Sequence, residues 1–297
     1  MNKLNNRNHI YTFGGVEYDL DSRPHIIGII NVTPDSFSDG GKYEGTEEAV
    51  DAALAMVADG ADFIDVGGES TRPGSEPVPL EVELKRIIPV IEKLVKATSI
   101  PLSVDTYKSA VAAKALRAGA RIVNDISGLH FDAQMADVIA QYDATVIIMH
   151  IRGTPRTMQT DVVYRNLIGE IRIYLEEGIR IASEAGIHQI ILDPGIGFGK
   201  NTDHNLEIFK RLGEFRNMGY PILVGPSRKS FIGKILNLPV EDRLEGTAAA
   251  VAVSIMNGAN ILRVHDVKEM KRVAIIADAI RRANDENKAL LTVDQYS

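Results

Sequence analysis

Short apolar, β-branched runs punctuate the 297-residue chain from end to end, and their number and spacing constrain its fold more than any other feature. "HIIGIINV" begins at 25, "ADFIDVGG" at 61, "IPLSVD" at 100, "RIVNDI" at 121, "ATVIIMH" at 144, "QIILDPG" at 189, "PILVGPS" at 221 and "NILRVHD" at 260. Between them lie segments with apolar residues at helical spacing, such as "TEEAVDAALAMVADG" and "RNLIGEIRIYLEEGIRIASEAG". Several of these close on a glycine, where a helix end takes a left-handed residue. The runs are continuously apolar rather than alternating. That marks strands buried on both faces, and so a parallel sheet with helices outside it. Eight such β/α units predict a single-domain α/β fold, the TIM (β/α)8 barrel, with a doubly wound open sheet as the alternative.

The residues that end the runs separate these two architectures. Asn31, Asp65 with Glu69, Asp105, Asn124 with Asp125, His150, Asp193, Ser227 with Lys229, and Arg263 with His265 each follow an apolar run. An open sheet gathers its ligands at one switch point, whereas a closed barrel brings all of these residues to one mouth. Residues 1–24 include "YTFGGVEYDL", which reads as a short N-terminal hairpin over the barrel floor. Residues 25–284 form the barrel, and 285–297 are a polar tail expected to fray.

Composition narrows the function. A net charge of -7 argues against nucleic acid as a partner, and the absence of cysteine excludes disulfides, thiolate metal sites and cysteine nucleophiles. No apolar run approaches the ~20 residues of a membrane span, and the start "MNKLNNRNHIYTFGG" lacks the apolar centre of a signal peptide. A cytoplasmic protein with no membrane partner is the expectation. Although the chain is acidic, Arg72, Arg152, Arg156, Lys200, Arg228, Lys229 and Arg263 all fall just after strands. A locally basic mouth suits an anionic substrate, above all a phosphate.

Among the carboxylates, Asp105 either caps the helix after it or faces the cavity. Asp193 opens "DPGIGFGK", where Pro and three Gly precede any helix. A carboxylate held there can accept parallel N–H bonds from a ring that presents an amino group beside a ring N–H, as guanine and pterin do. The glycines at 195, 197 and 199 serve either close approach to a flat ligand or a tight turn. His150 reads as a core histidine. His265, two residues beyond Arg263 on one strand, shares its face, and the two together read as a diphosphate clamp. "GPSRKSFIGK" sets Ser227, Arg228, Lys229 and Ser230 at a helix start; N-capping by Ser227 or Ser230 is compatible with anion binding there. The sequence contains no G-x-G-x-x-G, Walker A, H-E-x-x-H or G-x-S-x-G motif.

Taken together, "NVTPDSFSDGG", "GADFIDVGGESTRPG", "PLSVDTYK", "IVNDISG", "ILDPGIGFGK", "SRKSFIG" and "ILRVHDV" resemble the dihydropteroate synthases from about Ile27 to Val267. Two positions depart from the commonest family form, Pro226 where Leu is usual and Ile151 where Met is frequent; both are apolar replacements. The resemblance implies a transferase of folate biosynthesis that joins 6-hydroxymethyl-7,8-dihydropterin diphosphate to 4-aminobenzoate, releasing diphosphate and giving 7,8-dihydropteroate. It further implies Mg²⁺ as cofactor, sulfonamides as competitors and a homodimer.

By motif, Asp105, Asn124, Asp193 and Lys229 are implied to bind the pterin. Asn31, Arg263 and His265, with Thr71 and Arg72, are implied to hold the diphosphate, Asn31 also contacting Mg²⁺. Phe37, Thr71, Pro73, Phe198, the stem of Lys229 and Ser230 are implied to line the aminobenzoate pocket. Asp35 joins Asn31, Lys229, Arg263 and His265 as the implied catalytic set, with Asp35 and Phe37 on a mobile flap over the reacting centre. Three rivals stand beside this reading. A methyltetrahydrofolate-dependent methyltransferase has no use for a diphosphate clamp, a pterin-binding module would show no turnover, and a phosphate-sugar isomerase or aldolase would share only the fold.

Overall fold

A computed structural model describes residues 9–33, 44–160 and 162–283. Strands β1 (Ile10–Phe13) and β2 (Val16–Asp19) form the expected antiparallel hairpin. There follow β3 (His25–Asn31), β4 (Phe63–Gly67), β5 (Leu102–Asp105), β6 (Ile122–Asp125), β7 (Thr145–Met149), β8 (Ile190–Asp193), β9 (Leu223–Val224) and β10 (Ile261–Val264). These eight pair in parallel in the order β8-β7-β6-β5-β4-β3-β10-β9. The ring closes between β8 and the stretch before β9, where Leu192 bridges to Ile222 and its N–H donates to the Pro221 carbonyl at 2.9 Å. Pro221 has no N–H to return, which fits the short pairing at this seam.

Around the barrel lie α1 (Glu44–Ala58), α2 (Leu80–Ala97), α3 (Ser109–Ala118), α4 (Met135–Gln141), α5 (Leu167–Glu184), α6 (Thr202–Arg211), α7 (Gly213–Arg216), α8 (Ser230–Leu236), α9 (Leu244–Met256) and α10 (Val267–Arg282). This is the TIM barrel that the β/α alternation predicts. Among the described residues no helix is long and apolar enough to cross a membrane.

Why the strands read as continuously apolar is visible in their parity. Ile26, Ile30, Ile64, Val66, Leu102, Val104, Val146, Ile148, Leu262 and Val264 face outward and share one core with the helices. Their neighbours Ile27, Phe63, Ile122, Ile147, Ile191, Leu223 and Ile261 face inward and form a separate core with Tyr11, Phe13 and Leu20 of the hairpin segment. The hairpin therefore covers the N-terminal end of the barrel. Phe63 packs edge-on against Phe13, with ring centroids 5.2 Å apart, and the Tyr11 hydroxyl donates to the Ile190 carbonyl at 2.7 Å. Fully burying one such aromatic side chain is worth about 1.5–3 kcal/mol. The floor is thus an apolar seal, and inward positions are free to become polar only above it.

Candidate active site

That change occurs within a single strand step. One inward position further along, β4 presents Asp65, β5 presents Ser103 and then Asp105, β6 presents Asn124, β8 presents Asp193 and β10 presents Arg263. Of these Asp65, Ser103, Asp105, Asn124 and Asp193 are buried. Arg263 lies among them and holds the layer together: Nε donates to Asp65 Oδ2 at 2.6 Å and Nη2 to Asp105 Oδ2 at 2.7 Å. Asn124 Nδ2 donates to the same Asp65 oxygen at 2.9 Å. Asp105 thus bonds into the barrel and does not cap α3, whose N-cap residue is Lys108. The second oxygens of Asp65 and Asp105 are buried and, among the described residues, make no hydrogen bond. An orphaned acceptor of this kind is satisfied when a ligand brings a donor.

Asp193 sits at the end of β8 and its Oδ1 accepts the Gly195 N–H at 2.7 Å. The turn after it has φ of +71° at Gly195, +85° at Gly197 and +67° at Gly199. A Cβ at Gly195 would stand 1.9 Å from the His150 carbonyl oxygen, and one at Gly199 2.5 Å from Arg152 Cβ. These glycines therefore serve a tight turn pressed against the end of β7, which resolves the two sequence alternatives in favour of the turn. The turn carries Phe198 inward, where its ring centroid lies 4.2 Å from Lys229 Nζ.

A recess results, lined by Asp105, Asn124, Asp193, Lys229 and Arg263 together with the apolar side chains of Ile126, Met149, Ile196 and Phe198. Its charges are strongly perturbed. Burial pushes Asp105 up to about 7, against the pull of the Arg263 guanidinium and with Asp65 and Glu83 adding to the push. Burial raises Asp193 to about 6, opposed by the Gly195 N–H and by Lys229, Lys200 and Arg263. Burial, then the charge of Arg263, lowers Lys229 to about 8, while Asp193 and Asp105 hold it up. Burial also opposes the charge on Arg263, but Asp65 and Asp105 outweigh it and raise its pKa.

Beside the recess, His265 Nδ1 meets Ser227 Oγ at 2.9 Å, and the same hydroxyl oxygen accepts the His265 backbone N–H at 3.2 Å. The hydroxyl and Nδ1 share one hydrogen bond, whose donor is set by the ring tautomer. Burial, then Arg263 and Arg228, lowers His265 to about 4, so the imidazole is neutral near pH 7. Ser227 is thus committed to His265, and neither it nor Ser230 caps α8, whose N-cap is Lys229. Asn31 lies half-buried at the end of β3, next to β10 in the barrel.

The cations expected at the mouth divide. Lys200 is only 2% exposed and bonds to His150 Nδ1 at 2.8 Å and to the Phe198 carbonyl at 2.9 Å, so it is an interior tie and not a mouth cation. His150 is the satisfied core histidine its setting suggested. Arg152 pairs with Glu170 and lies over Tyr164, and Arg156 pairs with Glu76. In the loop after β4, Thr71 is half-buried and Arg72 and Pro73 are exposed. Its base is anchored by Glu69, which accepts from Tyr107, Lys108 and the Val78 N–H. Ser230 is exposed on the first turn of α8, and Asp35 and Phe37 lie outside the described residues. Sequence reasoning left Asp65 without a role and missed Ile126, Met149 and Ile196 as walls. Strand parity carries that signal, since Asp65 and Met149 each stand two residues beyond an inward floor residue, Phe63 and Ile147.

A recess lined by apolar side chains, carboxylates, an amide and two cations suits a heterocycle bearing an anionic group. The sequence pattern of the family described as pterin binding enzyme matches residues 27–265. The dihydropteroate synthase of Synechocystis sp. is 48% identical over 272 residues, covering 91% of this chain and 94% of that protein. The Yersinia pestis dihydropteroate synthase, solved with a sulfonamide drug, is 42% identical with a TM-score of 0.87, covering 92% of this chain and 100% of that one. The Xanthomonas albilineans enzyme, solved with 7,8-dihydropteroate, is 38% identical with a TM-score of 0.83, covering 92% and 98%. The chain belongs to the pterin binding enzymes and, within them, to the dihydropteroate synthases, a family of transferases.

Proposed function

We propose that this barrel condenses 6-hydroxymethyl-7,8-dihydropterin diphosphate with 4-aminobenzoate, giving 7,8-dihydropteroate and diphosphate, and that sulfonamides compete for the aminobenzoate position. The observation that carries the residue assignment is that Asp105, Asn124, Asp193 and Lys229 line one recess with Ile126, Met149, Ile196 and Phe198. Asp193 Oδ1 is engaged by Gly195, so the carboxylate enters pterin binding already oriented. The ring lies between apolar walls, and its amino and N–H edge meets carboxylate acceptors.

An arylamine is neutral near pH 7 and has its lone pair free, so the chemistry needs no strong base. The barrier lies in breaking the C–O bond to diphosphate. Arg263 and the His265 imidazole stabilise charge as it builds on the leaving oxygens. Asn31 closes the same corner. Positive charge on the methylene carbon spreads into the electron-rich pterin, and the reaction is a dissociative substitution in which the pterin substrate binds before the aminobenzoate. Thr71 and Arg72 complete the diphosphate corner, and Pro73, Phe198, the Lys229 stem and Ser230 form the second pocket. Asp35 and Phe37, outside the described residues, belong to the reading by their motif alone.

Mg²⁺ fits this donor set. Magnesium takes hard oxygen ligands, keeps several waters and is commonly bound through substrate phosphates with one or two protein oxygens. The Asn31 amide supplies such an oxygen beside the strand that carries Arg263. When bound, the ion would neutralise charge on the departing diphosphate. A homodimer belongs to the same proposal. Its support is the apolar outer face of α6, α8 and α9, where Leu206, Ile235, Leu236, Val253 and Met256 are exposed. A cytoplasmic location is the last part, and the cysteine-free sequence fits a reducing compartment.

The test supplies both substrates with Mg²⁺ and follows diphosphate and pteroate together. Equal release of both, competition by a sulfonamide against 4-aminobenzoate, and loss of turnover on chelation or in Arg263→Ala are expected. Turnover that ignores both the chelator and Arg263→Ala would refute the leaving-group account.

A further inference from the structure

Arg228 is one of the cations that the sequence sets at the mouth, and its surroundings give it another task. Its φ is +55°, a left-handed conformation that a residue with a Cβ adopts only when its surroundings enforce it. Its N–H donates to Thr247 Oγ1 at 3.1 Å, and its carbonyl accepts from Arg243 Nη1 at 3.0 Å. Its guanidinium makes a two-pronged pair with Asp266, Nε to Oδ2 at 3.0 Å and Nη2 to Oδ1 at 2.5 Å. One residue earlier, Ser227 is bonded to His265 at both the ring and the backbone N–H. Consecutive residues of the loop between β9 and α8 are therefore tied to consecutive residues after β10. Lys229 follows directly on one side of the tie, and Arg263 precedes it on the other.

We propose that the Arg228–Asp266 fork is a positioning device that locks the loop carrying Lys229 to the loop carrying His265. The pterin end and the leaving-group end of one substrate are thereby held in register. The inference rests on the reading of the recess as the pterin site. Neither Arg228 nor Asp266 touches the substrate; both act through their neighbours. A planar fork fixes orientation as well as distance, which a lysine at 228 cannot do. Misplacement of reacting groups by about 1 Å can cost about a hundredfold in rate, so a partial loosening has a measurable effect without loss of the fold.

Three variants separate the parts. Asp266→Asn keeps the shape and removes the charge, Arg228→Gly keeps the left-handed backbone and removes the fork, and Arg228→Lys keeps the charge without the planar geometry. Each is expected to melt close to the parent. In each, kcat falls by about tenfold, while KM for 4-aminobenzoate and Kd for a pterin lacking the diphosphate stay within about threefold. Arg228→Gly with Asp266→Asn is expected to be no worse than the worse single variant, because one interaction can be lost only once. A kcat within about twofold of the parent in Asp266→Asn, or a double variant equal to the product of the two singles, would overturn the proposal. Should Arg228→Gly fail to fold, the kcat of Asp266→Asn decides alone. Asp193→Asn serves as the control: if it too turns over normally, the reading of the recess falls, whereas its failure beside normal fork variants removes only the fork.

Discussion

The floor and the mouth of this barrel are built from alternate residues of the same strands, yet they answer to opposite physical demands. At the floor, Ile27, Phe63, Ile122, Ile147, Ile191, Leu223 and Ile261 meet the hairpin in a continuous apolar seal. Two residues further along β4, Asp65 stands where Phe63 stood, and Arg263 does the same after Ile261 on β10. The floor gains stability from burial. The mouth spends it, since Asp105, Asp193 and Lys229 are all shifted toward their neutral forms by desolvation. The difference teaches where substitutions should be read as folding effects and where as chemistry.

The largest expected effect is at the floor. Phe63 packs against Phe13 and Tyr18 with centroids 5.2 and 5.3 Å away and is 1% exposed. Phe63→Ala should lower stability by about 3–5 kcal/mol while leaving kcat per folded molecule unchanged. Denaturant titration beside active-site-normalised turnover checks it; a reduced kcat at full folding would break the division between the two ends.

Asp193→Asn is the reciprocal case. Pterin binding and kcat/KM should fall about a hundredfold, since the carboxylate proposed to accept ring N–H bonds becomes an amide with one acceptor. Stability should move the other way. The folded-state pKa of Asp193, about 6, lies above its ordinary value of ~4, so the folded form favours the proton. Its contribution is then present below ~4 and is lost as pH rises through about 6, leaving the ionised group a burden at pH 7. Asn carries no charge and its oxygen still accepts from Gly195, so this variant should melt higher than the parent at pH 7. Calorimetry at pH 5 and pH 7 decides it: the gain should be smaller at the lower pH.

The same shifts set the pH dependence of pterin binding. On the proposed reading of the recess, binding needs Asp193 ionised and Lys229 protonated. Affinity should fall as pH drops below about 6 and again as it rises above about 8, by about tenfold per unit on each limb. Asp105, at about 7, broadens the acid limb. A flat profile from pH 5 to 9 in isothermal titration would show that the recess charges do not contact the ligand.

How far the sequence reaches follows the same division. The strands were legible because burial on both faces makes them apolar up to their mouth ends, and helix ends such as Gly119, with φ of +119° after α3, because a left-handed residue is a local requirement. Asp105, Asn124, Asp193 and Arg263 were legible as the polar residues that end apolar runs. What escaped depends on partners distant in the chain. Nothing in "GFGK" says that Lys200 turns inward to His150, fifty positions away along the chain. "SRKS" does not reveal that Ser227 and Arg228 are committed to His265 and Asp266, because both serines would serve equally well as caps. The glycines of "DPGIGFGK" looked ambiguous until the His150 carbonyl was seen beside Gly195.

Tyr11→Phe is the smallest and sharpest probe of the contrast, because it removes a polar atom from the end of the barrel assigned to stability. The Tyr11 hydroxyl donates to the Ile190 carbonyl at 2.7 Å, three residues before Asp193 on the same strand. The ring remains and only one buried hydrogen bond is lost, so the cost should be about 1 kcal/mol, or about 2 °C in melting temperature. Burial raises the phenol well above its ordinary range, which keeps it neutral and rules it out as a base near pH 7. Turnover and pterin affinity should therefore match the parent. If instead pterin affinity fell while the melting temperature held, the hairpin would be coupled to Asp193 through β8, and floor and mouth would have to be treated as one unit.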